Sequence, residues 1–324
     1  MSDAGAELIS MLAATLRLAA PLVLAALGGL FSERSGVIDI GLEGKMLGSA
    51  FAAAAAAAVT GSAWVGLGAG IAVAVLLALL HAFAAVSHRG DQVVTGMALN
   101  ILVAGLAPVL AISWFDLGGT TPALPPGARF GSLMLPGTMA MTDLPVLGEV
   151  YARVVSGHNG IVYLAAIAVP AVALILHRTR FGLRLRAVGE SPDAVATAGV
   201  SVAWLRYRAL MITGVLCGLA GAYLSLAAGA GFTRNMTAGR GYLALAALIF
   251  GRWRPVPTAL ACLLFAFADA AQTRLQGAAL PLLGVVPVEL VSALPYALTV
   301  LLLAGFVGAS RAPRALGIPY RTRR

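Results

Sequence analysis

The sequence predicts an all-α protein, a polytopic bundle of transmembrane helices with about nine spans and bounds of eight and ten. Three observations carry that expectation. Of 324 residues, 60% are hydrophobic and only 11% are charged. The mean hydropathy is +0.92. The apolar residues come in long runs separated by short basic connections. A soluble domain of this size cannot bury so much apolar surface, whereas a bilayer span needs only about 20 apolar residues.

The runs fall at residues 8–30, 46–60, 64–86, 93–114, 161–176, 207–226, 241–250, 256–273 and 286–307. Ahead of the first there is no basic segment, and after it no small-residue cleavage site, so it reads as a retained span. The second holds seven consecutive alanines, 52–58, a smooth helix suited to the bundle interior. In the third, Gly66 and Gly70 are four apart, as are Gly214, Gly218 and Ala222 in the sixth; small residues at that spacing let helix backbones approach closely. The seventh run is too short to cross alone and reads either as half of a broken helix or as one that extends through Ala238 to Arg240. All the runs belong to a single transmembrane domain, 1–324.

Lys and Arg cross the membrane poorly during insertion and gather on the cytoplasmic side. With nine spans and a cytoplasmic C-terminus, 16 of the 22 Lys and Arg fall in inside connections or the tail, Arg34, Lys45 and Arg206 among them; Arg17, Arg129, Arg153, Arg234, Arg240 and Arg274 do not. A net charge of +9 spread over such connections reports topology, not a nucleic-acid stripe. Two connections are long. The outside one, 116–159, contains five prolines and reads as a surface excursion: a solvated loop, or a docking surface for a protein that delivers substrate. The inside one, 177–206, opens with four arginines. There Ser191, Pro192, Asp193 and Gly199 have the chemistry of an N-cap, a first-turn proline, a dipole-matched acid and a C-cap, predicting a cytoplasmic helix of about two turns.

No catalytic constellation emerges. Cys217 and Cys262 lie in apolar runs as packing residues, and the four histidines make no metal-ligand pattern. The stretch from Gly41 to Lys45 is superficially similar to a phosphate loop, but Asp39 stands where its first glycine belongs and Met46 where Ser or Thr should hold magnesium. Any ATP dependence therefore needs another subunit, and neither a cofactor nor a metal is expected. Polar residues at membrane depth are the better lead, because burying them is costly: Arg17, Asn100, Asp269, Gln272 and Glu289. Asn100 serves either an interhelical hydrogen bond or a polar path. Asp269 and Glu289 reach water or pair with Arg274, or act as an ion relay. Two glycine-rich turns, 35–44 and 235–242, fall on opposite predicted sides and each precedes an apolar helix, a pattern consistent with an inverted-topology repeat.

At these stretches the chain resembles a known family. FSERSGVIDIGLEG (31–44), DQVVTGMALN (91–100), FGLRLRAVGE (181–190), NMTAGRGY (235–242) and IFGRWRP (249–255), with the RAP tail at 311–313, are similar in content and order to the permeases of bacterial ABC importers for branched-chain amino acids, ribose-type sugars and nucleosides. The likeness is greatest to the shorter permease of the nucleoside importers. It implies a multi-pass subunit of the bacterial inner membrane that works with a paralogous permease, cytoplasmic ATP-binding subunits and an extracytoplasmic solute-binding lipoprotein. It also implies that Gly189, Glu190, Ser191, Pro192, Asp193, Ala194 and Gly199 form the segment coupling it to the ATPase. On that basis alternating access would pass solute along a polar path lined by Gln92, Thr95 and Asn100. The rival reading is a proton- or sodium-coupled carrier using Asp269 or Glu289.

Overall fold

The structure, a computed structural model, describes residues 3–138, 147–275, 279–280, 284–285 and 311–321. Its helices are α1 (Asp3–Arg34), α2 (Leu42–Thr60), α3 (Ala63–Ala82), α4 (Gln92–Phe115), α5 (Leu147–Val150), α6 (Gly160–Arg178), α7 (Arg180–Glu190), α8 (Pro192–Thr197), α9 (Val202–Tyr223), α10 (Arg240–Phe250) and α11 (Pro255–Leu275). A hairpin pairs β1 (Ser132–Leu133) with β2 (His158–Asn159), and another pairs β3 (Ala279–Leu280) with β4 (Gly284–Val285). Among the described residues seven helices are long and apolar enough to span a bilayer, and α10 is a shorter apolar helix. They account for the first eight runs. The ninth, with Glu289, lies outside the described residues.

Most boundaries follow from local chemistry. Asp91, Asn159, Thr179 and Ser201 each accept a backbone N–H in the first turn of α4, α6, α7 and α9, satisfying donors that a helix leaves open at its start. At 32 residues α1 is about 48 Å long, more than a bilayer core needs. The π-turns Phe83–Ser87 and Leu224–Ala228 extend α3 and α9.

Packing rests on small residues. A Cβ added at Gly214 would lie 2.8 Å from the Val75 Cα and one at Gly218 2.7 Å from the Ile71 Cα, so α9 and α3 meet backbone to backbone. Gly66 and Gly70 bring α3 equally close to α2. In the alanine run Ala53, Ala54, Ala55 and Ala57 are buried. Polar side chains add local ties: Thr213 Oγ1 donates to Gly28 O of α1 at 2.8 Å, and Ser49 Oγ to Gly218 O at 2.6 Å. The main core is shared by α1, α2, α6, α9, α10 and α11, while α4 is held at the edge, against α2, through Leu47, Phe51, Val103 and Ala107.

The two ends of the bundle differ. Arg34, Arg206, the α7–α8 segment and the 311–321 tail share one end: Ala315 N donates to Gly189 O, Gly317 N to Gly36 O, and Arg206 Nη1 to Ile318 O. At the other end the excursion after α4 lies against the backbone of 226–232, with Thr121 N, Leu124 N and Phe130 N donating to Phe232, Ala230 and Leu226 carbonyls. The structure corrects two expectations. Lys45 is no loop residue: α2 starts at Leu42, and Lys45 is fully buried within it. The arginines after residue 178 lie in a helix, α7, whose Gly182, Leu185, Val188 and Gly189 form a buried stripe. Arg274 donates to Ser10 Oγ at 2.5 Å.

Candidate functional site

The α1–α2 connector turns at Gly36 (φ +87°) and brings Asp39 into the interior. Both Asp39 carboxylate oxygens accept from Lys45 Nζ at 2.6 Å, and His81 Nδ1 of α3 lies 3.2 Å from Asp39 Oδ1. None of the three side chains is exposed. Burial alone would raise the Asp39 carboxyl, but the Lys45 ammonium and His81 outweigh it and hold it below the usual carboxylate range. Asp39 is therefore a paired anion. The pair fastens the connector to the start of α2, since leaving either charge alone in a low-dielectric interior is expensive.

One turn further, Glu43 reaches α10. Its Oε1 accepts from Gly239 N at 2.9 Å and its Oε2 from Gly241 N at 2.6 Å. Gly239 has φ +80°, and a Cβ on Gly241 would lie 2.6 Å from the Glu43 Cα. Glycine is thus required at both positions. A carboxylate here both satisfies free N–H groups and meets the positive end of the α10 dipole. From this junction α10 runs to the arginine-rich end, where Arg34 Nε donates to Trp253 O at 2.9 Å and Trp253 Nε1 to Glu33 Oε2 at 2.5 Å. Meanwhile α2 runs to the other end, where Ala53 and Ala57 pack with Leu124 and Ala128. Two helices thus begin at one buried level and diverge. The two glycine-rich turns, expected on opposite sides, meet there.

Asn100 joins three segments at this level. Its Oδ1 accepts from Gly44 N at 2.8 Å, and its Nδ2 donates to Ile40 O at 3.0 Å and to the Tyr242 hydroxyl at 2.9 Å. Gln92 Oε1 accepts from Ile38 N at 2.7 Å, while its buried Nε2 has no partner among the described residues. Thr95 Oγ1 donates to Asp91 O of its own helix. Gln92 and Asn100 therefore lie on one seam with the connector, and Thr95 is half-buried beside it. Arg17 is exposed, and together with Arg240 and Arg274 lines a cavity of about 590 Å³ at the end opposite the tail. Asp269 and Gln272 are half-buried on α11. Sequence reasoning missed Glu43, Lys45, His81 and Tyr242 as site residues. One signal was available for Lys45, the only lysine in the sequence.

At the arginine-rich end α8 starts at Pro192, as the proline predicts, and Gly199 adopts φ +75°. Ser191 precedes the helix, but its side chain makes no capping bond. Glu190, Ser191, Asp193, Ala194 and Gly199 are exposed, Pro192 is half-buried, and Gly189 is buried where any Cβ would collide with Arg34 O. Among the described residues no group of three His, Cys, Asp or Glu could hold a metal.

The family model described as "Branched-chain amino acid transport system / permease component" matches residues 11–303. The chain is 38% identical over 316 residues to the guanosine ABC transporter permease protein NupQ of Bacillus subtilis, covering 95% of each protein. It is 32% identical over 306 residues to the nucleoside ABC transporter permease protein NupC of Lactococcus lactis, covering 93% of each. To the putative glucose ABC transporter permease protein TsgC13 of Haloferax volcanii it is 36% identical over 275 residues, covering 84% of this chain and 79% of that one. An ABC permease draws on ATP hydrolysed by a separate subunit, so the ion-coupled reading is not favoured. The chain belongs to the branched-chain amino acid-type permease family: it is a multi-pass membrane permease subunit of an ABC importer.

Proposed function

We propose that this permease carries nucleosides across the bacterial inner membrane, paired with a paralogous permease, seated on cytoplasmic ATP-binding subunits and fed by an extracytoplasmic solute-binding lipoprotein. One observation carries the reading: end-to-end similarity to two permeases named for guanosine and nucleosides. The arginine-rich end is the cytoplasmic one, in keeping with the positive-inside rule, and the C-terminus lies there. The excursion at 116–159 then faces the delivering protein.

In this reading Gly189, Glu190, Ser191, Pro192, Asp193, Ala194 and Gly199 form the segment that meets the ATPase. Its backbone packs at Gly189 against the Arg34 carbonyl at the end of α1 and is hydrogen-bonded to the tail, so a push on α8 is transmitted to the connector holding Asp39 and Glu43. Alternating access then shears the seam where α2 and α10 begin. Asn100, Gln92 and Thr95 are the polar groups uncovered on α4, offering amide and hydroxyl partners to a sugar or base. The test is uptake of labelled guanosine, ribose and leucine into proteoliposomes holding the reconstituted importer. ATP-dependent guanosine uptake, unaffected by a protonophore, is expected. Uptake that needs an ion gradient, or that prefers ribose or leucine, overturns the proposal.

A further inference from the structure

Behind α8, at the arginine-rich end, lies a cavity of about 650 Å³. It is bounded by the end of α3 and its π-turn, the C-terminus of α8, the first turn of α9 and Tyr320 of the tail. Small-molecule sites measure about 300–1,000 Å³, so this volume suits a ligand much larger than a lone phosphate.

Its polar wall is cationic. Arg206, 1% exposed, donates Nε to Ser35 O at 3.1 Å and Nη1 to Ile318 O at 3.3 Å, whereas its buried Nη2 has no partner among the described residues. Arg89, held at φ +56°, stands exposed at the rim. Val202 and Ala203 line the cavity in the first turn of the 22-residue α9, where backbone N–H groups have no intrahelical acceptor and the helix dipole is positive. Arg206 is one turn on from Val202, on the same face. Ser87 and Ser201 add hydroxyls, Val86 and Val200 add apolar wall, and among the described lining residues there is no carboxylate. A guanidinium beside a helix N-terminus is anion-binding chemistry, and the fork of Arg matches phosphate oxygens.

We infer that this cavity binds a phosphate-bearing small molecule of the nucleotide class, and that its occupant restrains the coupling segment. The phosphate sits at the α9 N-terminus between Arg206 and Arg89, and the remainder lies along the valines and Tyr320. Because Ala196, Gly199 and Val200 at the end of α8 form part of the wall, a bound ligand ties that segment to α3 and α9. The restraint rests on the transport reading above; the binding does not. A nucleoside importer would thereby be slowed by the phosphorylated form into which its cargo is converted inside the cell.

The test titrates the full chain in lipid nanodiscs with AMP, adenosine and inorganic phosphate by calorimetry. Saturable AMP binding is expected, with adenosine and phosphate at least about tenfold weaker. Ala203→Glu sets a carboxylate at the exposed mouth, and Arg89→Ala removes an exposed rim charge; each should weaken AMP at least about tenfold. Both sites are on the surface, and a monodisperse elution profile checks folding. No AMP binding at millimolar concentration, equal binding of phosphate, or binding untouched by both variants overturns the site. In proteoliposomes of the whole importer, AMP on the ATP side should slow uptake in the parent and not in Ala203→Glu. AMP binding without slowed uptake overturns the restraint. Absence of nucleoside uptake alongside AMP binding supports the site and overturns the transport reading.

Discussion

Replacing Lys45 by methionine leaves the Asp39 carboxylate fully buried with only His81 beside it. Removing one member of a buried ion pair costs about 3–5 kcal/mol, because the other stays desolvated and uncompensated. Asp39→Asn leaves the ammonium in the same position and should cost a similar amount. The double variant Asp39→Asn/Lys45→Met removes both charges at nearly constant volume, so its cost should be about 0–2 kcal/mol. Two single losses of that size and a small double loss give a coupling energy of about 4 kcal/mol or more. The assay is unfolding in mixed micelles of rising SDS fraction, read for the parent, both singles and the double. Additive losses, with the double about as unstable as the two singles together, would show that the pair does not hold the connector. The pH dependence has a definite sign. Asp39 is held below its unfolded value of about 3.9, so its contribution is complete above that value and is lost only as pH falls through the depressed folded one. Between about pH 6 and 8 the parent should show no Asp39-linked change.

Three further outcomes follow from the same seam and the coupling end. Asn100→Ala orphans the buried Gly44 N–H and Ile40 C=O and should lower uptake more than membrane-inserted yield; equal losses would limit Asn100 to a structural role. Glu43→Gln retains only one acceptor oxygen for the Gly239 and Gly241 N–H groups and should destabilise by about 1–3 kcal/mol, measured in the same micelle titration. Asp193→Arg changes an exposed residue of α8 and should leave the melting profile within about 0.5 kcal/mol of the parent while reducing co-purification of the ATP-binding subunit; undiminished recovery would place the contact elsewhere.

The spans were legible because apolar runs and small-residue spacing report directly on lipid and on close helix contact: Gly214 and Gly218 meet α3, and the alanines of α2 are interior. The 11-residue α10 was legible as too short to cross. Less legible was α7, where three arginines in seven residues masked a stripe of Gly182, Leu185 and Val188 that has helical spacing. The charge rule misplaced Lys45, because it counts cations without asking whether an anion six residues earlier can follow one into the interior. Asn100 was legible as inward-facing, but its partners, the Ile40 carbonyl, the Gly44 N–H and the Tyr242 hydroxyl, belong to segments up to 142 residues away. No local period encodes such a meeting. Glu43 was hidden for the same reason: its partners are the backbone of two glycines, which carry no side-chain signature.

The tail has a bearing on how the molecule is made. Residues 311–321 leave the ribosome after every segment they touch, yet Ala315 and Gly317 supply the hydrogen bonds that close over Gly189 and Gly36, and the Ile318 carbonyl accepts one from Arg206. Until that strand arrives, the buried guanidinium of Arg206 lacks one of its two carbonyl partners and the α7–α8 surface is open on its inner side. The surface proposed to receive the ATPase is therefore finished last, after the described spans have been synthesised. Biogenesis is ordered by chain position, and a motor subunit that recognises the closed surface would select against half-inserted chains.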